Sequence, residues 1–230
     1  PPVARLLDVV RGGAVGRPTM VAIREHRFPF LPKVGDWNRF NRNTGGTLVE
    51  KCCHFFDLMN QVTGDHPVRV LASGAQDVNH LDESYDGEVP DILDNAFVVV
   101  DYAGGARALL DLCMFAEASE HQEELSVVGP LGKVEAFLPE STVRIGRRST
   151  GRPGIATEVV HDPRVAYEGF HHGSSYLEHL DFLAAIRTGG AAGVGLAEGR
   201  LSVAMGVAAQ RSISEGRAVT IDEVLGETAA

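Results

Sequence analysis

The chain has little cysteine, one tryptophan, no run of like charges and no long apolar run, and these shortages exclude several classes of protein. Of its 230 residues three are cysteine, with Cys52 and Cys53 adjacent and Cys113 far along the chain. Neither a disulfide framework nor a CxxC zinc or redox motif is present, which fits a reducing, cytoplasmic setting. Lys and Arg number 21 against 31 Asp and Glu, a formal charge of −10 spread without clustering, so neither nucleic acid nor an anionic membrane is an expected partner. No stretch approaches the ~18 consecutive apolar residues of a membrane span. The opening Pro-Pro-Val-Ala-Arg-Leu-Leu-Asp lacks the basic end and apolar run of a signal peptide.

Hydrophobic residues make up 44% of the sequence, enough for a real core, and one domain over 1–230 is expected. The stretch from Thr44 to Gly64 reads as a Gly-opened helix closed by a second glycine. Glu50, His54, Asp57 and Gln61 fall within roughly 60° of one another at helical spacing, while apolar residues cover most of the remaining circumference. Buried carboxylates and imidazoles are costly unless paired or hydrogen-bonded. Two accounts stand side by side: Thr47-Leu-Val-Glu50 as a capping box with His54 as a satisfied core histidine, or a stripe that performs chemistry.

Elsewhere the pattern is mostly strand. Val3 to Arg11 predicts a short helix ended by Gly12-Gly13, with little of its own to pack against. Thr19 to Phe28 predicts a strand carrying Arg24, His26 and Phe28 on one face. Val68 to Val78 is a further strand. Leu93 to Ala103 and Ala106 to Glu117 flank Gly104-Gly105 as a hairpin, and Glu124 to Val128, Lys133 to Leu138, Thr142 to Arg147 and Thr157 to His161 continue an antiparallel meander. In Ala106 to Phe115, Leu109, Cys113 and Phe115 occupy one face and Leu110, Leu112 and Met114 the other, so both faces are expected to be covered. Helices take one; a second copy is the simplest cover for the open sheet face, giving a homo-oligomer, dimer or tetramer.

The loop from Leu31 to Gly46 concentrates Trp37, Asn38, Arg39 and Arg42. Amides and guanidinium groups bond hydroxyls while an aromatic covers an apolar ring face, a combination suited to a sugar or polyol, although a polar surface loop fits too. The loop from Asn79 to Asp91, with His80, Asp82, Glu83 and Asp86, lacks a Ca²⁺-loop pattern. His171 and His172 precede a helix with Ser175-x-x-Glu178 as a capping box and Leu177, Leu180, Leu183 and Ala184 as its buried stripe. At a helix N-terminus they either contact substrate or are plain surface histidines. Glu198 to Glu215 is a long Ala- and Gly-rich helix before a short strand, Ala218 to Ile221.

Gly45-Gly46-x-x-x-Glu50-x-x-x-His54-x-x-Asp57, a strand meander, then Tyr176-x-Glu178-x-x-x-Phe182 and a terminal helix resemble the C-terminal domain of the Gfo/Idh/MocA oxidoreductases, over nearly the whole chain. The resemblance implies an α+β fold of the dihydrodipicolinate-reductase-like kind, with a large, mostly antiparallel open sheet and helices on one face. It implies hydride exchange between a sugar, inositol or related polyol and NAD or NADP. In that family the glycine–carboxylate–histidine motif carries catalysis; Glu50 stands where an Asp is common. The family's Rossmann domain and its Glu-Lys-Pro motif are absent: no strand is followed by GxGxxG. Residues 1–17 are then expected to pack on that missing domain.

On this basis His54 is the expected general base, with an unperturbed pKa near 6.5, Glu50 orients it, and Asp57 anchors the helix or the ring. Arg24, His26, Trp37, Asn38, Arg39, Arg42, His171 and His172 are the substrate-binding candidates. The alternative is a non-catalytic sugar-binding and oligomerisation module. A metal-dependent hydrolase ranks last, because Glu-x-x-x-His lacks the second histidine of HExxH, and no metal is expected.

Overall fold

Alternation of β-branched and apolar residues with polar ones builds nine strands, and their registers place the site. In a computed structural model describing residues 1–150 and 154–226, the strands are β1 Met20–His26, β2 Pro67–Ala75, β3 Asn95–Tyr102, β4 Arg107–Cys113, β5 Glu123–Gly129, β6 Gly132–Leu138, β7 Thr142–Arg147, β8 Ile155–Val159 and β9 Val219–Thr220. They form one sheet in the order β8-β7-β6-β5-β1-β4-β3-β2-β9. Only β1 with β4 is parallel; the other pairings are antiparallel. The glycine turn joins β3 to β4 as the sequence indicates.

The helices are α1 Pro2–Arg11, α2 Asn41–Thr44, α3 Thr47–Glu50, α4 Cys53–Thr63, α5 Ser174–Thr188, α6 Leu196–Glu215 and α7 Ile221–Leu225. The core lies between one sheet face and α1, α3, α4 and α6. It includes Val21, Ile23, Leu110, Leu112, Leu125 and Val127 from adjoining strands, with Leu6, Leu48, Phe55, Phe56, Met59 and Met205 from the helices. Gly206 lets α6 approach α3 closely, since a Cβ there would lie 2.6 Å from the Leu48 carbonyl oxygen.

Several expectations need correction. The first helix has partners of its own: Leu6, Val9 and Val10 are buried in the common core, and α1 packs against β6, β7 and α4. The central helix is three pieces, because Gly45 and Gly46 take positive φ and the turn at Lys51 and Cys52 separates α3 from α4. Its capping box does not form: Gly46 is the N-cap, and the Thr47 hydroxyl donates to the Leu93 carbonyl at 2.6 Å. Ser175 does not cap α5, which starts from Gly173 and has no fully buried residue; of its apolar stripe Leu177 and Leu180 are half-buried and Leu183 and Ala184 exposed. The sheet face left for a second copy needs no such correction: in the single chain Met20, Leu71 and Phe97 on it are 59%, 52% and 60% exposed.

Candidate functional site

Two adjoining clefts, of about 520 and 530 Å³, share Lys51, His54, Glu123, His171 and His172. One is closed by Arg27, Phe28, Phe30, Lys33, Glu50 and Phe170. The other is lined by Val3 and Leu7 of α1, Asp57 and Gln61 of α4, and Ser174 and Ser175 of α5. A larger depression of about 710 Å³ lies against Gly12, Pro130, Leu131 and Arg147 but contains none of the candidate side chains. Chemistry, not size, marks the site.

His54 sits in the first turn of α4, just beyond the break, with its ring centroid 4.0 Å from that of Phe55. The imidazole reaches solvent through the cleft mouth, yet the protein around it penalises its charged form. Together with the charges of Lys51, His171 and Arg27, this holds its pKa below the ordinary 6.5. The ring is therefore neutral at neutral pH. Glu50 lines the same cleft, and burial raises its pKa against the opposing pull of Lys33, Lys51 and Arg27. No hydrogen bond joins Glu50 to His54, in place of the orienting contact expected. Asp57 accepts from Gln61 at 3.0 Å, and Gln61 accepts from Arg11 at 3.0 Å; Asp57 thus anchors α4 to α1, not the ring.

His171 and His172 are brought to His54. They end a short 3-10 turn, where Ser174 donates to the His171 carbonyl at 2.7 Å and the Ser175 hydroxyl lies 3.2 Å from His171 Nδ1. The remaining candidates are placed elsewhere. Strand alternation puts Arg24 and His26 on the opposite sheet face, where Arg24 Nε lies 3.1 Å and His26 Nε2 3.0 Å from the Asp111 carboxylate. Asn38 and Arg39 are buried; Asn38 donates to the Leu31 carbonyl, and Arg39 donates to Glu83 at 2.7 Å. Glu83 also meets His80 Nδ1 at 2.7 Å and the Tyr85 hydroxyl at 2.8 Å, so this network pins loop to loop. Arg42 pairs with Glu88, and Trp37 is absent from both cleft walls.

The residues missed are Glu25, Arg27, Lys51 and Glu123. Glu25 is fully buried, with Lys51 Nζ 3.0 Å and an Arg27 guanidinium nitrogen 3.6 Å from its carboxylate. The signal was present: Val21, Ile23 and Glu25 alternate, placing a carboxylate in an apolar register. Glu123 faces Glu25 across the β1–β5 pair. Burial and then the nearby Glu25 charge raise the Glu123 pKa, which Lys51 and Arg27 oppose. Among the described residues no group of three or more His, Cys, Asp or Glu is placed to hold a metal ion, and no helix is long and apolar enough to cross a membrane.

Residues 8–221 match a family described as "Oxidoreductase family, C-terminal alpha/beta domain". The chain is 27% identical over 227 residues to a myo-inositol 2-dehydrogenase of Thermotoga maritima, covering 96% of this chain and 61% of that protein. In fold it is similar to an NAD binding oxidoreductase from Klebsiella pneumoniae, with TM-score 0.78, 18% identity and coverage of 96% and 64%. It is also similar to a levoglucosan dehydrogenase in complex with NADH, with TM-score 0.77, 17% identity and coverage of 96% and 63%. The chain spans about three fifths of the length of the curated relatives it matches.

Proposed function

This chain belongs to the Gfo/Idh/MocA oxidoreductase family through its C-terminal α/β domain, and from that premise we propose that it is the substrate half of an NAD(P)-dependent oxidoreductase acting on a sugar, inositol or related polyol in the cytoplasm. The observation that carries this reading is His54, neutral and solvent-reachable, in a cleft that also presents Lys51, His171 and His172. In the oxidative direction His54 takes the proton of the substrate hydroxyl. Lys51 puts a positive charge beside the oxygen as it loses that proton, and charge stabilisation of this kind is strongest where water is excluded. His171, His172 and Gln122 offer hydrogen bonds to further hydroxyls, and Phe28, Phe30 and Phe170 cover the apolar faces of a ring.

The dinucleotide supplies a hydride acceptor in enzymes of this family. The described residues do not fit its phosphates: Gly193-Val194-Gly195 opens α6 but follows a helix, and no strand runs into a glycine-rich turn at a helix N-terminus. The chemistry derived from this chain therefore stops at binding and proton removal. The exposed apolar residues of the second sheet face, Met20, Leu71 and Phe97, support a homo-oligomer.

A chimera joining this chain behind the nucleotide-binding portion of the Thermotoga maritima relative tests the reading, with dinucleotide reduction followed across a panel of inositols and aldoses. His54→Ala should lower kcat/KM by ~10²–10⁴-fold, the usual range for a general base; a change within a few-fold refutes the assignment. A second reading, a non-catalytic sugar-binding and assembly module, draws on the exposed apolar sheet face. An oligomer by light scattering that binds polyol, joined to a chimera inactive with every polyol, would decide for it.

A further inference from the structure

Arg27 stands at the cleft with more donors than partners. Its backbone is fixed just beyond β1, where its N–H donates to the Cys113 carbonyl at 2.9 Å and its carbonyl accepts from the Ala116 N–H at 3.1 Å. Its side chain is mostly buried and equally fixed: Nε donates to the Phe28 carbonyl at 3.1 Å, and the guanidinium carbon stands 4.3 Å from the centre of the Phe28 ring. A guanidinium stacked on an aromatic face is pre-organised, so little freedom is lost when its fork binds an oxyanion. Neither terminal nitrogen makes a hydrogen bond among the described residues. One of them approaches Glu25 Oε1 at 3.6 Å, too far for a hydrogen bond, and the Lys51 ammonium meets the same oxygen at 3.0 Å.

Two cations on one carboxylate leave one positive charge in excess. Among the described residues neither Arg27 nor Lys51 has another ion-pair partner, and both line the cleft of about 520 Å³ that holds His54. The stretch 27–33 brings Arg27, Phe28, Phe30 and Lys33 to that cleft and contains no acid. Glu50 and Glu123 line it elsewhere, and burial raises the proton affinity of each, which weakens their opposition to an anion.

We propose that Arg27 and Lys51 form a carboxylate-binding subsite, so that the substrate is a sugar acid that lays its carboxylate on Arg27 and its ring hydroxyls toward His54. This names the substrate class of the site described above and rests on that cleft being the substrate site. Guanidinium and carboxylate join through two parallel N–H···O bonds, and Arg27 keeps both terminal nitrogens for them. A single excess charge suits a carboxylate better than a phosphate dianion. Glu25 lines neither cleft and is a positioning residue: fully buried, with no donor in hydrogen-bond geometry, it holds the two cations together by charge.

Calorimetric titration of the chain with no dinucleotide present tests the subsite. Glucuronate or galacturonate should bind ~10–100-fold more tightly than its own carboxamide, the worth of a hydrogen bond to a charged group. Equal affinity of acid and amide, or binding of neither, overturns the subsite, and so does tighter binding of an inositol monophosphate. Arg27→Met should bring the acid-to-amide ratio to within about three-fold of unity. Arg27→Lys, which keeps the charge and loses the fork, should restore only part of it; a ratio unmoved by Arg27→Met overturns the assignment. Should Arg27→Met fail to fold by circular dichroism, the comparison of acid with amide on the unaltered chain decides alone. A chimera that oxidises inositols and aldoses as well as it does hexuronates would sink the subsite and leave the dehydrogenase reading standing. Acid binding that depends on Arg27, beside a chimera inactive with every substrate, would do the reverse.

Discussion

Two glycines in the same helix should respond to the same substitution with opposite signs. In a helix interior Gly→Ala is worth ~1 kcal/mol of stability from backbone entropy. At Gly199, where an added Cβ meets nothing within 4 Å, that gain should appear nearly in full. At Gly206 the added Cβ would stand 2.6 Å from the Leu48 carbonyl oxygen and 3.1 Å from both the Leu48 carbonyl carbon and Val49 Cα, all backbone. That is about 0.7 Å short of the ~3.3 Å at which carbon and carbonyl oxygen ordinarily meet. The α3 backbone, and Glu50 with it, must move, at an overpacking cost of ~1–3 kcal/mol. Overpacking outweighs propensity by about 1 kcal/mol at the middle of that range. For a domain of this size 1 kcal/mol shifts Tm by ~2–4 °C, so Gly199→Ala should raise Tm by about that amount and Gly206→Ala should lower it similarly. Thermal unfolding by circular dichroism reads both. A Gly206→Ala variant stabilised as much as Gly199→Ala would refute the close approach of α6 to α3 and the placement of Glu50 that depends on it.

Other predictions concern the site and the loops that were misassigned to it. Because the folded state lowers the His54 pKa below 6.5, the unfolded chain binds more protons below that pH, and stability must fall as pH drops through it. His54→Gln should flatten this slope in urea unfolding at a series of pH values; an unaltered slope would mean the ring is not held neutral. Arg39→Ala should cost about 2–3 kcal/mol in the same assay, somewhat under the ~3–5 of a fully buried pair, since Glu83 is partly open to solvent. Arg42→Ala, removing an exposed partner of Glu88, should leave the midpoint unchanged; a large loss there would show that the pairing matters as the Arg39 network does. Thr47→Val should cost ~1–2 kcal/mol by leaving the buried Leu93 carbonyl without its donor, and an unaltered midpoint would restore the capping reading of that threonine.

Local patterns in the sequence carried the strands well. Period-two alternation and glycine turns placed β3, β4, β6 and β7 to within a few residues, because register in a sheet with one buried face is set locally by that alternation. Long-range partnership is not local. Nothing in Val3 to Arg11 says that it packs on β6 and β7, more than 100 residues away. Loop side chains were misread for the same reason: Arg39 has the composition of a ligand-binding residue, but Glu83 takes its guanidinium first. The apolar stripe of α5 was legible as a pattern, yet the helix has no fully buried residue, so the pattern alone does not say what it faces.

The polar stripe of the central stretch divides into two halves with different work. Asp57 and Gln61, beyond the first turn of α4, bind that helix to Arg11 of α1 and are mechanical. Glu50 and His54 flank the turn at Lys51 and Cys52 and line one cleft with Lys51. There Lys51 reaches Glu25 at 3.0 Å while it still lines both clefts with His54. The site is assembled from four separated stretches, at residues 25–27, 50–54, 122–123 and 169–172. Of these, two showed as candidates in sequence: the one that keeps a motif and the one that carries paired histidines. The other two sit at the ends of strands, where Glu25 occupies an apolar register and Glu123 stands opposite it across the β1–β5 pair.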